Sequence, residues 1–315
     1  MQTLTVIADY EDLCGEGPLW DARLKLLYWT DVVSQRFYVY DWVARNHRIM
    51  NEGLEINSAA FNQSGGFVIC NSSGAWLWGV GDSPHLFADQ AEGSKCHLND
   101  CIADPAGRLL VGSYFYDPNQ KYALGKLIRI DEDGTAHVID EGFHLANGLG
   151  FSVDAKTLYF TDSIARVIYA YDYDVSSGGV HRRRIFVTVP DTHGIPDGLT
   201  VDAEGFVWSA EWYGSQVIRY DPDGKMERRV NTPAKQTSSI IFGGPDLTDI
   251  FITSAAKPDP TPVMPAGYDP DSGYLGGALF HIDLGIQGKP EFVANIKAPL
   301  RSDARRNREP SEGAR

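Results

Sequence analysis

The sequence predicts an all-β chain folded as a six-bladed β-propeller, and three observations carry that prediction. Short apolar strands ending in small or polar residues recur as LYWTD from Leu27, FVICN from Phe67, LLVGS from Leu109, LYFTD from Leu158, FVWSA from Phe206 and IFITS from Ile250. Their starts lie 40, 42, 49, 48 and 44 residues apart, and six copies at such a period mark a repeat architecture rather than a set of unrelated hairpins. Each copy also sits between two further β-rich runs joined by Asp, Asn, Gly or Pro turns, so one unit holds at least three strands.

Taken in order, the strands ahead of the motifs are PLWDARLK, AAFNQSGG, CIADPAGR, LGFSVDAKT, LTVDAEG and SIIFGGPDLTD. The third strands follow at Phe37, Trp76, Leu127, Ile168, Val217 and Leu279, and fourth strands are expected in segments such as HVIDE and RIFVTV. Radial closure of six such units leaves no long sheet edge exposed. Residues 1–298 are therefore expected to form one propeller. The N-terminal run LTVIAD is expected as the outer strand of the last blade, closing the ring with EFVANI near Phe292. Residues 256–277, rich in Pro, Gly and Asp, read as the one sizeable insertion, and residues 299–315 read as a disordered tail. DEDG at Asp131 and DPDG at Asp221 lack the ligand ladder of a calcium loop and read as hairpin turns.

Composition narrows the function classes. Hydrophobic residues make up 43% and charged residues 22%, an ordinary globular balance. A net charge of -14 disfavours nucleic acid and anionic membranes as partners. No membrane span and no basic-then-apolar leader stands out, so the expected compartment is cytoplasmic. Cys14, Cys70, Cys96 and Cys101 lack paired zinc-site spacing and read as small buried residues, although Cys14 near Glu16 leaves a reactive thiol open. No G-x-S-x-G elbow, P-loop or H-E-x-x-H occurs, and Gly148 and Gly150 lack the third glycine of a dinucleotide fingerprint.

Residues leading into the innermost strands ring one mouth of a propeller's channel. Those positions hold Glu16, Asn57 and Ser58, His97 and Asn99, Asn147, Asp197, and Thr237 and Ser238. Alone, Pro-Asp-Gly around Asp197 is ordinary turn chemistry. Two carboxylates and several carboxamides converging from different blades are costly to bury together unless a cation compensates them. Oxygen ligation by Glu16, Asn147 and Asp197 suits one divalent ion, whether calcium, magnesium or manganese, and zinc also accepts carboxylates. Three protein ligands leave positions for water and substrate, as a catalytic metal needs.

At these residues the chain resembles the regucalcin/gluconolactonase (senescence marker protein-like) family of sugar lactonases, through GEGPLWDARLKLLYWTD, HLNDCIADPAGRLLVGS, ANGLGFSVDAKTLYFTDS, PDGLTVDAEGFVWSAEW and QTSSIIFGGPDLTDIFITSA. The resemblance implies a six-bladed propeller with one divalent metal held by Glu16, Asn147 and Asp197, with Asn99 contacting substrate and Asp197 as general base. It implies hydrolysis of an aldonolactone to its aldonic acid by a monomer or small homo-oligomer. His97 stands where arginine is expected, which points to a different lactone, such as a pentonolactone. His97 and Asn99 are expected on one side of an extended segment facing the mouth, with Tyr114 and Trp212 as walls. Two other classes stay open: a metal-dependent phosphotriesterase or aryl esterase, and a non-enzymatic binding module suggested by the likeness of LYWTD to YWTD propellers.

Overall fold

A computed structural model of the chain describes residues 3–95, 97–114 and 124–297. The expected tail at 299–315 and Cys96 lie outside the described residues. No helix occurs among those described, and the strands form six four-stranded antiparallel sheets in the expected succession of blades, with one two-stranded ribbon, Gln90–Ala91 against Ser94–Lys95, between blades 2 and 3. Their innermost strands are Gly15–Asp21, Ser58–Phe61, Leu98–Ala103, Ala146–Phe151, Ile195–Val201 and Thr237–Gly243, for blades 1 to 6. Each recurring motif is the second strand of its blade, as in Leu26–Asp31 and Thr157–Asp162. HVIDE and RIFVTV lie in the outer strands Ala136–Phe143 and Gly179–Thr188, except for the last valine. DEDG and DPDG are hairpin turns, closed by Gly134 N–H to Asp131 O and Gly224 N–H to Asp221 O, both at 2.9 Å.

The motifs read as continuous apolar runs because each second strand is buried on both faces. Six hydrophobic clusters fill the six gaps between blades. Tyr28 and Phe37 meet Ile69 and Trp78 between blades 1 and 2, and Val68 and Cys70 meet Val111 and Ile128 between blades 2 and 3. The ring closes where Trp29 and Tyr38 of blade 1 join Phe251 and Leu279 of blade 6. No blade could bury both of its faces alone, so the sheets depend on one another.

Blade 6 takes its outermost strand from the N-terminus. Thr5–Asp9 pairs antiparallel with Ala278–Asp283, as Thr5 opposite His281 and Asp9 opposite Ala278. EFVANI does not take part in that closure. It crosses the far end of the channel instead, where Ala294 bonds with Phe61 and Gln63, and Asn295 N–H donates to Gly107 O. An irregular strap suits this path, because its amides must reach loops of separate blades rather than one parallel edge. Asn62 fixes it by accepting from Ile296 N–H at 2.9 Å and donating to Ile296 O at 3.1 Å.

Candidate metal and substrate site in the channel mouth

Five of the six innermost strands slip register at their start, and the slip falls on the polar residues singled out in the sequence. The irregularities lie between Glu16 and Leu19, Leu98 and Cys101, Asn147 and Leu149, Pro196 and Leu199, and Thr237 and Ile240. A bulge interrupts the alternation of side chains and re-aims one of them. Asp197 is therefore not in a turn ahead of its strand: Pro-Asp-Gly is the opening of Ile195–Val201 and part of the bulge. Gly198 lets two blades meet, because a Cβ there would strike the side chain of Ser239 on the next blade. Gly148 likewise lets two inner strands touch, since its Cβ would stand 2.5 Å from Asp197 O.

The Asp that ends LYWTD and LYFTD anchors the segment leading into the site. Asp31 accepts from Leu13 N–H at 2.9 Å and Cys14 N–H at 3.0 Å, just ahead of Glu16. Asp162 does the same for His144 at 3.0 Å and Leu145 at 3.2 Å, just ahead of Asn147. Glu16, Asn99, Asn147 and Asp197 line one cavity of about 150 Å³, with Trp212 as a wall. Asn147 donates to Ser163 Oγ at 2.8 Å and accepts from Asn99 Nδ2. Together the two bonds fix the orientation of the carboxamide, with its oxygen toward Asn99.

His97 and Tyr114 are placed differently. Both line a separate cavity of about 270 Å³, their rings 6.4 Å apart, and neither lines the cavity that holds Asn99. His97 precedes the strand, and the bulge that follows breaks the two-residue alternation on which a shared orientation with Asn99 depended. Asn57 and Ser58 brace neighbouring strands, donating to Leu98 O at 2.8 Å and Asn99 O at 2.5 Å, and Ser238 donates to Gly15 O at 2.5 Å. Four polar residues of the cavity had not been singled out: Asp100, Ser163, Asp259 and Thr261. Asp100 follows Asn99 directly, so alternation would send it to the other face. Asp259 and Thr261 come from the insertion, where no period exists to read.

Electrostatics give the site its character. Burial, then Asp197 and Asp100, hold the Glu16 carboxyl well above the usual carboxylate range, against one bond from Gly17 N–H at 3.2 Å. Burial, then Asp100 and Asp259, do the same to Asp197. Asp100 is pushed up to about 7 by burial. No lysine or arginine lines this cavity among the described residues. Two carboxylates so placed can both ionise only beside a cation, and with the Asn147 carboxamide they form an all-oxygen set open on one side. Among the described residues no three His, Cys, Asp or Glu side chains converge as a cluster; the third donor here is an amide oxygen. The residues present fit a hard divalent ion. The Cys14 thiol, on the same wall, is held well above its ordinary value by burial and then by Glu16 and Asp197, which removes it as a thiolate nucleophile.

The class so defined is a six-bladed propeller with a carboxylate and carboxamide centre in its channel mouth. Residues 14–256 match the model of the SMP-30/Gluconolactonase/LRE-like region. The chain belongs to that family. It is 37% identical over 295 residues to pentonolactonase XacC of Haloferax volcanii, covering 94% of this chain and 99% of that one. It is 32% identical over 243 residues to regucalcin of Danio rerio, covering 76% and 82%. Among solved structures, a luciferin-regenerating enzyme superposes with a TM-score of 0.83 at 25% identity, covering 94% of this chain and all of that one.

Proposed function

We propose that the protein is a carboxylic ester hydrolase that opens the ring ester of a sugar lactone to give the aldonic acid, with one divalent cation held by Glu16, Asn147 and Asp197. The observation that carries this reading is the pair of carboxylates, Glu16 half-buried and Asp197 buried, that line a small cavity without a cationic side chain among the described residues. Full-length similarity to a lactonase supports the ester type, and a pentonolactone is the favoured substrate. The bound ion supplies a Lewis acid for the ester carbonyl. Asp197 accepts the proton of the attacking water through a carboxylate oxygen, and its burial keeps bulk water from competing. Asn99, already hydrogen-bonded to Asn147, positions the lactone beside those groups. Trp212 forms an apolar wall for the ring. Substrate is drawn from the cytoplasm, where the protein acts as a monomer or small homo-oligomer. No helix of the described chain is long and apolar enough to cross a membrane.

The test is turnover of pentono- and hexonolactones, paraoxon-type triesters and aryl esters, with and without chelator. Lactone hydrolysis that chelator stops, and that Asp197→Ala lowers by roughly 10²-fold or more in a folded protein, is expected. Preferred triester or aryl ester turnover, or full lactone activity in Asp197→Ala, would contradict the assignment.

A further inference from the structure

The insertion at 256–277 is not a spare loop but a second strap, this one across the mouth, because both of its ends and its middle are tied to the rim. Gln236 Nε2 donates to Ala255 O at 2.9 Å and Lys257 O at 2.8 Å, and Ala256 N–H donates to Asp12 O at 2.8 Å. Lys235 Nζ donates to Asp269 O and Ser272 O, both at 2.7 Å. Between these anchors Arg166 reaches Val263 O at 2.5 Å, and the Tyr213 hydroxyl receives Thr261 N–H at 3.0 Å while donating to Asp259 O. Tyr213 also packs its ring against Tyr268, 4.7 Å between centroids. Residues 259–261 are thereby held over the cavity that contains Glu16 and Asp197.

Three residues lining that cavity carry a buried polar atom without a hydrogen-bond partner: Oδ1 of Asn57 on the blade side, and Nε1 of Trp212 and Oγ1 of Thr261 on the side of the insertion. The Tyr213 hydroxyl bears on the Trp212 and Thr261 side chains and is held by Thr261 N–H and Asp259 O, but neither Trp212 Nε1 nor Thr261 Oγ1 meets it in hydrogen-bond geometry. A buried indole N–H and a buried hydroxyl left unsatisfied each cost more than an ordinary hydrogen bond returns. A sugar hydroxyl offers what they lack, since its oxygen accepts from an N–H while its proton goes to another oxygen. Asp259, on the same wall, is an acceptor for that proton. It also adds negative charge to a cavity that already holds Glu16, Asp100 and Asp197.

We propose that Trp212 Nε1, Thr261 Oγ1 and the Asp259 carboxylate form a hydroxyl-recognition subsite, built by the strap, that selects neutral polyhydroxylated lactones and rejects anionic ones. This rests on the lactonase reading above and names the substrate class within it. The experiment uses the full, metal-loaded chain with a pentonolactone, γ-butyrolactone as its hydroxyl-free counterpart, and a uronic acid lactone as the anionic probe. Thr261→Val and Trp212→Phe are expected to lower kcat/KM for the pentonolactone about tenfold more than for γ-butyrolactone. Asp259→Asn is expected to raise the uronolactone to pentonolactone ratio about tenfold. Equal losses on both neutral lactones, or ratios unchanged in all three folded variants, would overturn the subsite. If the wild type opens no lactone, the reaction assignment fails separately, and an alditol read by its shift in Tm decides the subsite. A shift in the wild type that Thr261→Val removes supports it, and no shift, or the same shift in both, overturns it.

Discussion

Glu16, half-buried, and Asp162, buried, are both acids near the mouth, yet replacing them has opposite expected effects. Glu16 faces Asp197 and Asp100 with a single backbone N–H to offset them. Without a cation that arrangement works against folding, so Glu16→Gln is expected to raise the Tm of the metal-stripped protein. The same change removes a full charge from the ligand set, and the rise in Tm on adding divalent metal is expected to shrink or vanish. Asp162 faces amides instead, accepting from His144, Leu145 and Ala165 at 3.0, 3.2 and 3.3 Å. It is 1% exposed, so Asp162→Ala strands those donors and is expected to cost roughly 1.5–3 kcal/mol. Because those amides lead into Asn147, metal retention is expected to fall with stability, and Asp162→Asn, which keeps one acceptor, to recover part of both. Denaturant melts with elemental analysis separate the two residues. A metal-stripped Glu16→Gln protein less stable than the wild type would contradict the electrostatic account.

The connection between Thr5–Asp9 and Gly15–Asp21, which carries Asp12, shows how one element couples packing to pH. Asp12 is 2% exposed and accepts from Trp29 Nε1 at 3.0 Å and Tyr38 Oη at 2.6 Å, while Asp31 opposes its charge and Arg36 favours it. Burial is the largest influence, and the carboxyl is pushed up to about 7. The native state then keeps a proton between pH ~4 and ~7 that the unfolded chain has released, so stability falls as pH rises through that window. In Asp12→Asn the part of the loss due to this group, on the order of 1–3 kcal/mol between pH 5 and 8, is expected to disappear. Urea melts at the two pH values check it, and an unchanged difference would refute it. Such elements were only half legible in the sequence. LYWTD and its five counterparts stood out because strands sandwiched between blades are apolar on both faces. Glu16, Asn147 and Asp197 stood out as polar residues beside glycine at the heads of inner strands. The bulges left no mark, since one extra residue changes no composition, and so Asp100 was passed over and His97 was aligned with Asn99. Asp259 and Thr261 were hidden because the insertion has no period, and only bonds to distant residues such as Tyr213, Arg166, Gln236 and Lys235 fix where it lies.

Closure of the ring depends on a strand distant in sequence from the blade it completes. Thr5–Asp9 covers the edge of Ala278–Asp283, buries Ala8 to 3% exposure, and brings Leu4 and Ile7 against the clusters on either side of blade 6. Without it, Ala278–Asp283 becomes an open edge, and the clusters joining blade 6 to its neighbours lose one side. Since each blade's stability depends on the gap it shares with the next, the loss spreads to the whole ring and to the mouth that the ring holds open. Deleting residues 1–9 is expected to lower Tm by about 10 °C or more, the shift that a loss of several kcal/mol produces in a chain of this size, and to promote association through the bare edge. Because the missing element is a single extended segment, a synthetic peptide of residues 1–10 is expected to add back to the edge and restore part of the Tm and of the lactone turnover. Calorimetry and size-exclusion chromatography with and without the peptide make the test. A truncated protein that melts within about 2 °C of the full chain would show that the six inter-blade cores hold the ring without this strand.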